Sequence, residues 1–270
     1  AAKAEEQFRY VRSVRLGAEW HSPASIKAAR GELSATCMET EFSTIVMDSS
    51  NLFVGSLEYR YTDYRFHNTT APLFADAEFV GVRLIYERKL TQNWAILADA
   101  VGSFSAEVDA RLHDGAAGGF GGGVRYAFND DLKFFAGTHV FTRLSRGAQV
   151  VPIGGIIWKI DPHWSLFTTN GVTLVYDVFA DESWRLDLSC SYEGANIRLA
   201  DGGKRKRVLE VREVPLTFRV TRNFGQAAYI RASIGGVLYG RYKFRSGSAT
   251  TGDFEAGPAL QLGLVAGMRF

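Results

Sequence analysis

Apolar residues recur at every second position from one end of the chain to the other. The last segment shows it most plainly: Leu260, Leu262, Leu264, Ala266, Met268 and Phe270 share one parity, and Gln261, Gly263, Val265, Gly267 and Arg269 share the other. The same alternation runs through Val14/Leu16/Ala18/Trp20, Val80/Val82/Leu84/Tyr86, Phe134/Ala136/Thr138/Val140 and Trp184/Leu186/Leu188/Cys190/Tyr192. A period of two places each set on one face of a β-strand. The runs are longer than the roughly 5–6 residues of a typical globular strand. They suit the roughly 9–11 residues of a strand crossing a bilayer obliquely.

A turn motif punctuates these strands. It reads as an aromatic or apolar strand end, a short polar turn and a new strand that often opens with Trp: Tyr86 to Trp94, Tyr126 to Leu132, Trp158 to Trp164, Tyr176 to Trp184 and, more faintly, Phe218 to Phe224. Asp48–Asn51 is a plainer member of the set. Longer Gly/Ser/Asp-rich connections lie between these turns, around residues 22–30, 67–76, 113–118, 145–149, 200–206 and 246–253, with a very tight one at 169–171. Six short turns and seven connections predict fourteen strands, with both termini at the short-turn end. Merging the short hairpin over Trp164–Val178 into its neighbours would give twelve.

The second face of these strands carries charge: Arg15, Glu58, Arg60, Arg83, Asp99, Arg125, His139, Arg185, Asp187, Arg219, Arg231 and Arg269. A closed barrel in lipid accommodates both faces, with acyl chains against the apolar stripe and a wet lumen against the charged one. Trp94, Trp158, Trp164 and Trp184 all lie beside short turns, as an interfacial aromatic girdle requires, and Trp20, Tyr61 and Tyr192 fall near the opposite rim. The reading is all-β: one closed antiparallel transmembrane β-barrel domain over 1–270, with residues 1–7 as a periplasmic extension and no plug domain.

Composition sharpens this. The chain is 46% hydrophobic and 22% charged with a net charge of +2, which argues against a nucleic-acid binder. No segment approaches the roughly 20 apolar residues of a transmembrane helix. Cys37 and Cys190 lie in no metal or redox spacing and read as isolated small residues on strand faces. The start, Ala1-Ala2-Lys3-Ala4, fits a mature exported chain whose signal peptide has been removed as well as an ordinary cytoplasmic start. The strand pattern favours export.

With its terminal strand ending in Leu264, Ala266, Met268 and Phe270 and its repeated turns, the chain resembles bacterial outer-membrane β-barrels as a class. The stretch from Val151 to Arg222 resembles an uncharacterised outer-membrane barrel family of unknown function. The resemblance implies periplasmic short turns, extracellular longer loops and a terminal aromatic strand read by the barrel-assembly machinery. It also implies contact with outer-membrane lipid and lipopolysaccharide, and leaves room for an envelope protein partner.

No catalytic, cofactor or metal motif accompanies the pattern. Gly118–Gly123 lacks the Lys-Ser/Thr of a phosphate loop. Its inward members Gly119, Gly121 and Gly123 leave room for a large side chain opposite or for a solute. Lys204–Arg207 reads as a solvated outer loop. Asp99 and Ser103 share the inward parity with His139, but their strand is not next to that of His139, so no hydrolase triad is expected. Bases outnumber acids on the inward parity, where Arg9, Lys133, Arg143, Lys159 and Arg241 add to the set above. Outer connections of this length offer little to fold inward. The leading expectation is a passive pore for small polar solutes with a mild preference for anions. A structural barrel with a salt-bridged, closed lumen is the second. The third is a channel for hydrophobic substrates, which requires a gap in the wall near the Trp164–Val178 hairpin.

Overall fold

In the computed structural model, residues 9–26, 31–68, 73–144, 146–169, 171–200, 207–247 and 249–270 are described. The expected extension over 1–7 and the basic residues Lys204, Arg205 and Lys206 lie outside them. The described residues form sixteen strands: β1 (Arg9–Ile26), β2 (Gly31–Met47), β3 (Asn51–His67), β4 (Ala77–Lys89), β5 (Trp94–Glu107), β6 (Ala116–Ala127), β7 (Leu132–Arg143), β8 (Arg146–Lys159), β9 (Trp164–Phe167), β10 (Val172–Asp177), β11 (Trp184–Cys190), β12 (Glu193–Arg198), β13 (Arg207–Phe224), β14 (Ala228–Ser246), β15 (Ala249–Ala256) and β16 (Ala259–Arg269). Fourteen of them close a barrel: each of β1 to β10 pairs with the next, β11 pairs with β13, β13 with β14, β14 with β16, and β16 with β1. β12 and β15 are extra pieces at the outer end. Fourteen wall strands therefore stand, not twelve, and a single 3-10 turn at Leu112–Gly115 is the helical element among the described residues.

Five of the six short turns fall where the motif predicts; the sixth lies at residues 225–227, because Phe218–Phe224 is strand to its end and Gly225, at φ +62°, makes the turn. Each is built by local chemistry: the carboxylate of Asp161 accepts the backbone N–H groups of His163 (2.7 Å) and Trp164 (2.8 Å), and Asp48 does the same for Ser50 and Asn51. The seam closes at this end, where Arg12 and Phe270 exchange both backbone hydrogen bonds at 2.9 Å.

The wall is uneven in height. β1, β2, β3, β13 and β14 are 17 to 19 residues long, whereas β9 and β10 have 4 and 6. The tall side stands well beyond the roughly 9–11 residues a bilayer needs. Two bulges act there. One extra residue enters β1 between His21 and Ala24, and another enters β14 opposite Val214/Pro215. A one-residue insertion turns every later side chain to the other face. The stripe that faces lipid as Leu16 and Trp20 therefore turns inward as Ala24 and Ile26, and that of Ile230 and Ile234 turns inward as Tyr242 and Phe244. The outer half consequently has an apolar core inside the barrel, which includes Leu33, Phe74, Leu209 and Phe254.

Candidate functional site: a closed outer mouth and a lateral window

The lumen within the membrane is lined by ion pairs. Arg15 reaches Glu39 (3.3 Å) and Glu41 (3.0 Å), Arg60 reaches Glu58 (2.6 Å), Arg219 reaches Asp187 (2.9 Å), Arg185 reaches Asp177 (2.7 Å), and Arg125 pairs with Glu87. Arg231 donates to the Thr221 hydroxyl, and Arg231 and Arg269 flank the Tyr229 ring at 5.7 and 5.6 Å. Arg83 stands exposed on the same face. Such half-wet pairs are worth roughly 0–1 kcal/mol each; they offset the charge of Arg15, Arg60, Arg125, Arg185 and Arg219, while Arg83, Arg231 and Arg269 have no ion pair among the described residues.

Asp99 and His139 also meet, at 3.4 Å. The sequence reading separated them because β6 lies between their strands. It missed Gly121, which sits between them in the ladder and carries no side chain to keep them apart. Among the described residues no hydroxyl hydrogen-bonds to His139 Nε2. A second imidazole, that of His67, bonds the Ser34 hydroxyl at 3.0 Å on the outer rim.

The outer mouth departs from expectation. A connection does fold inward: β12 keeps the register of β11 on β13, since Cys190 faces Leu216 and Glu193 faces Glu213, and then crosses the opening. At its end Arg198 forms a parallel bridge with Ala106 of β5, on the far side of the barrel. The Glu107 carboxylate fastens the crossing, accepting the backbone N–H of Ala200 (2.6 Å) on one oxygen and that of Ala75 on the other. Ala75 follows Phe74, whose ring packs edge-on against Tyr64 and Phe66 (4.9 Å each) and lies 6.1 Å from Phe244. Apolar side chains thus fill the vertical exit.

The side of the barrel is open instead. β8 pairs with β7 along nearly its whole length, but β9 covers only Ile157–Lys159 of its other edge, and Thr168 adds two bonds to Ile156, donating its backbone N–H and accepting with its hydroxyl. The floor of the gap is the β9–β10 turn. There Gly171 adopts φ +112°, and any Cβ would collide with the carbonyl oxygen of Cys190. β10, at six residues, extends about 20 Å. Tilted by about 40° it rises roughly 15 Å, against an apolar band of about 25 Å. The hairpin therefore stops near mid-membrane. Behind it lies a cleft of about 810 Å³ between the inner faces of β7 and β8 and the back of the inturned β12–β13 pair. A polar lumen pocket of about 410 Å³, lined by Glu19, His21, Arg60 and Glu213, adjoins it, and Tyr192, Gly194, Ala195 and Val211 line both. Inside the wall beside the window, β7, β8 and β9 present Phe135, Phe141, Val151, Ile153 and Phe167.

Trp94, Trp158, Trp164 and Trp184 stand outward at 38–46% exposure beside the short turns, and Leu264, Met268 and Phe270 face outward on β16. Cys37 and Cys190 are both free. Sequence reasoning missed Phe74, Glu107, Leu199 and the bulges. The excess length of β13 and β14 over a membrane span was the available signal.

Over residues 46–264 the chain matches a family described as a domain of unknown function, DUF6268. A comparison with curated proteins gives no match. Among solved structures, the COG4313 outer membrane channel from Pseudomonas putida F1 is similar over 100% of both chains, at 7% identity and a TM-score of 0.51. The Pseudomonas putida toluene transporter TodX aligns more loosely, at 11% identity over 96% of this chain and 89% of that one, with a TM-score of 0.45. The NanC porin aligns at 13% identity over 94% and 98%, with a TM-score of 0.37. At such identities the first likeness is one of fold, that of an outer-membrane β-barrel. With most of its length matched, the chain belongs to the DUF6268 family.

Proposed function

We propose that the protein is an outer-membrane channel for small apolar or amphipathic molecules, which pass between the lumen and the bilayer through the lateral window. The observation that carries this reading is the missing ladder along the outer part of β8, where the wall of a polar pore would be continuous. The filled mouth supports it, because a hydrated ion meets Phe74, Leu199 and Phe244 on the vertical route. The pairing of lumen arginines with carboxylates weighs against the anion-preferring pore that the sequence favoured.

The test compares ion conductance in planar bilayers with uptake of an apolar probe, N-phenyl-1-naphthylamine, into proteoliposomes. Gly194→Trp places a large ring between the lumen pocket and the cleft behind the window, where an added Cβ meets nothing closer than 3.6 Å. The reading expects no steady conductance and an uptake that falls several-fold in Gly194→Trp. Steady conductance with no window-dependent uptake would establish a polar pore instead.

A further inference from the structure

We propose that the cleft behind the window binds the anionic head of an amphipathic molecule between Arg143 and Arg212. The inference deepens the window reading, on which the route of the bound molecule rests. Arg143 ends β7, on the inner face that carries His139 and Phe141. Arg212 stands on the outer half of β13, on the face that the inward bend of β12–β13 turns toward β7 and β8. Both side chains line the same cleft of about 810 Å³, from opposite walls.

Neither arginine has an ion-pair partner among the described residues, in contrast to Arg15, Arg60, Arg125, Arg185 and Arg219 in the lumen below. Arg143 lies over the Phe141 ring at 5.5 Å, which holds the guanidinium in place without neutralising it. Arg212 sits across the ladder from Arg241, whose own charge is taken by Asp253 at 3.0 and 2.6 Å. The acid in the cleft, Glu210, is compensated by Arg245 at 2.6 Å, on a pair that is nearly fully buried. The cleft is therefore net cationic. Two planar guanidinium forks facing one space suit a carboxylate or a phosphate. Phe141, Val151, Tyr192 and Val211 in the same lining give an attached chain apolar surface on its way to the window.

The test is calorimetric titration of the detergent-solubilised protein, in a neutral detergent and phosphate-free buffer, with chain-matched probes. These are decanoate, 1-decanol and decyltrimethylammonium, with dihexanoyl-phosphatidylglycerol as a membrane-lipid head. Decanoate is expected to bind, and Arg143→Gln and Arg212→Gln each to weaken it about tenfold, with partial rescue by Arg143→Lys and no change for 1-decanol. Binding of the phosphatidylglycerol alone, with the same arginine dependence, would support the anion site and assign its source to membrane lipid. Equal binding of decanoate and 1-decanol with no effect of either variant would overturn the head site while leaving the window reading intact. Preference for the ammonium probe, or no binding of any anion, would overturn it as well. Conversely, arginine-dependent decanoate binding with uptake untouched by Gly194→Trp would keep this site and sink the window.

Discussion

The carboxylate of Asp99 and the imidazole of His139 meet at 3.4 Å across a strand that neither belongs to. Gly121 of β6 lies between them, and a Cβ there would strike Asp99 Oδ1 and come within 2.8 Å of His139 Cδ2. Gly121→Ala is expected to separate the pair and cost about 1–2 kcal/mol through overpacking. Gly122→Ala, on the lipid face with its nearest neighbour at 3.5 Å, should stay within about 0.5 kcal/mol. Denaturant unfolding in lipid, followed by tryptophan fluorescence, measures both. Equal stability of the two variants would show that the contact is not packed as described.

Glu107 is the fastening of the closed mouth. Glu107→Ala leaves the N–H groups of Ala75 and Ala200 without their acceptor, a loss of roughly 1.5–3 kcal/mol for each hydrogen bond to a charge. We expect faster amide exchange at Ala200 and at the end of β12, and steady ion conductance in planar bilayers, where the parent is expected to show none. An unchanged exchange pattern would mean that the mouth is held by its apolar core alone.

That core should respond as a water-soluble one does. Leu209 is fully buried above the membrane, so Leu209→Ala is expected to cost about 2–5 kcal/mol. Leu264, 58% exposed on the outer face of β16, rests against lipid, and Leu264→Ala should cost less than about 1 kcal/mol. Thermal unfolding of the two variants side by side makes the comparison. A larger loss at Leu264 would relocate the structural core to the lipid face.

The short turns carry a pH dependence of known sign. Backbone N–H groups of His163 and Trp164 hold the Asp161 carboxylate below its ordinary value of 3.8. A carboxyl depressed in the folded state stabilises at pH above its unfolded value and loses that contribution as pH falls through the folded one. The stability difference between the parent and Asp161→Ala should therefore be constant from pH 7 to about pH 5 and shrink below about pH 4. A difference that persists undiminished at pH 2 would assign the effect of the variant to something other than ionisation. Asp48, held first by the Asn51 side chain, and Asp181, held first by the Ser183 side chain, are also depressed, with backbone N–H groups adding to each, and should behave alike.

The half of the fold next to the short turns was legible because lipid imposes one rule on every outward position. Leu260 to Phe270, the Trp-bearing turns and the fourteen strands all follow from it, as does the low hairpin at Trp164–Val178. The outer half was not. Ala24, Ile26, Tyr242 and Phe244 continue the parity of the lipid-facing stripe, and only a bulge, which leaves no mark in the alternation, sends them inward. The mouth depends on Glu107 and Ala200, 93 residues apart, and on a parallel bridge that no hairpin motif encodes. The Asp99–His139 contact was hidden by counting strands without asking what the intervening residue lacked.

The free edge of β8 has a consequence for the membrane around it. Backbone N–H and C=O groups facing dry hydrocarbon cost several kcal/mol each, and β8 has no strand partner on that edge beyond Ile156 among the described residues. Acyl chains cannot settle against it as they do elsewhere on the wall. Water or lipid head groups must follow the notch down to the tip of the β9–β10 hairpin, and the outer leaflet there must thin to meet them. The barrel would then present the bilayer with a local polar inlet, and a molecule crossing it would not be required to shed its hydration in a single step.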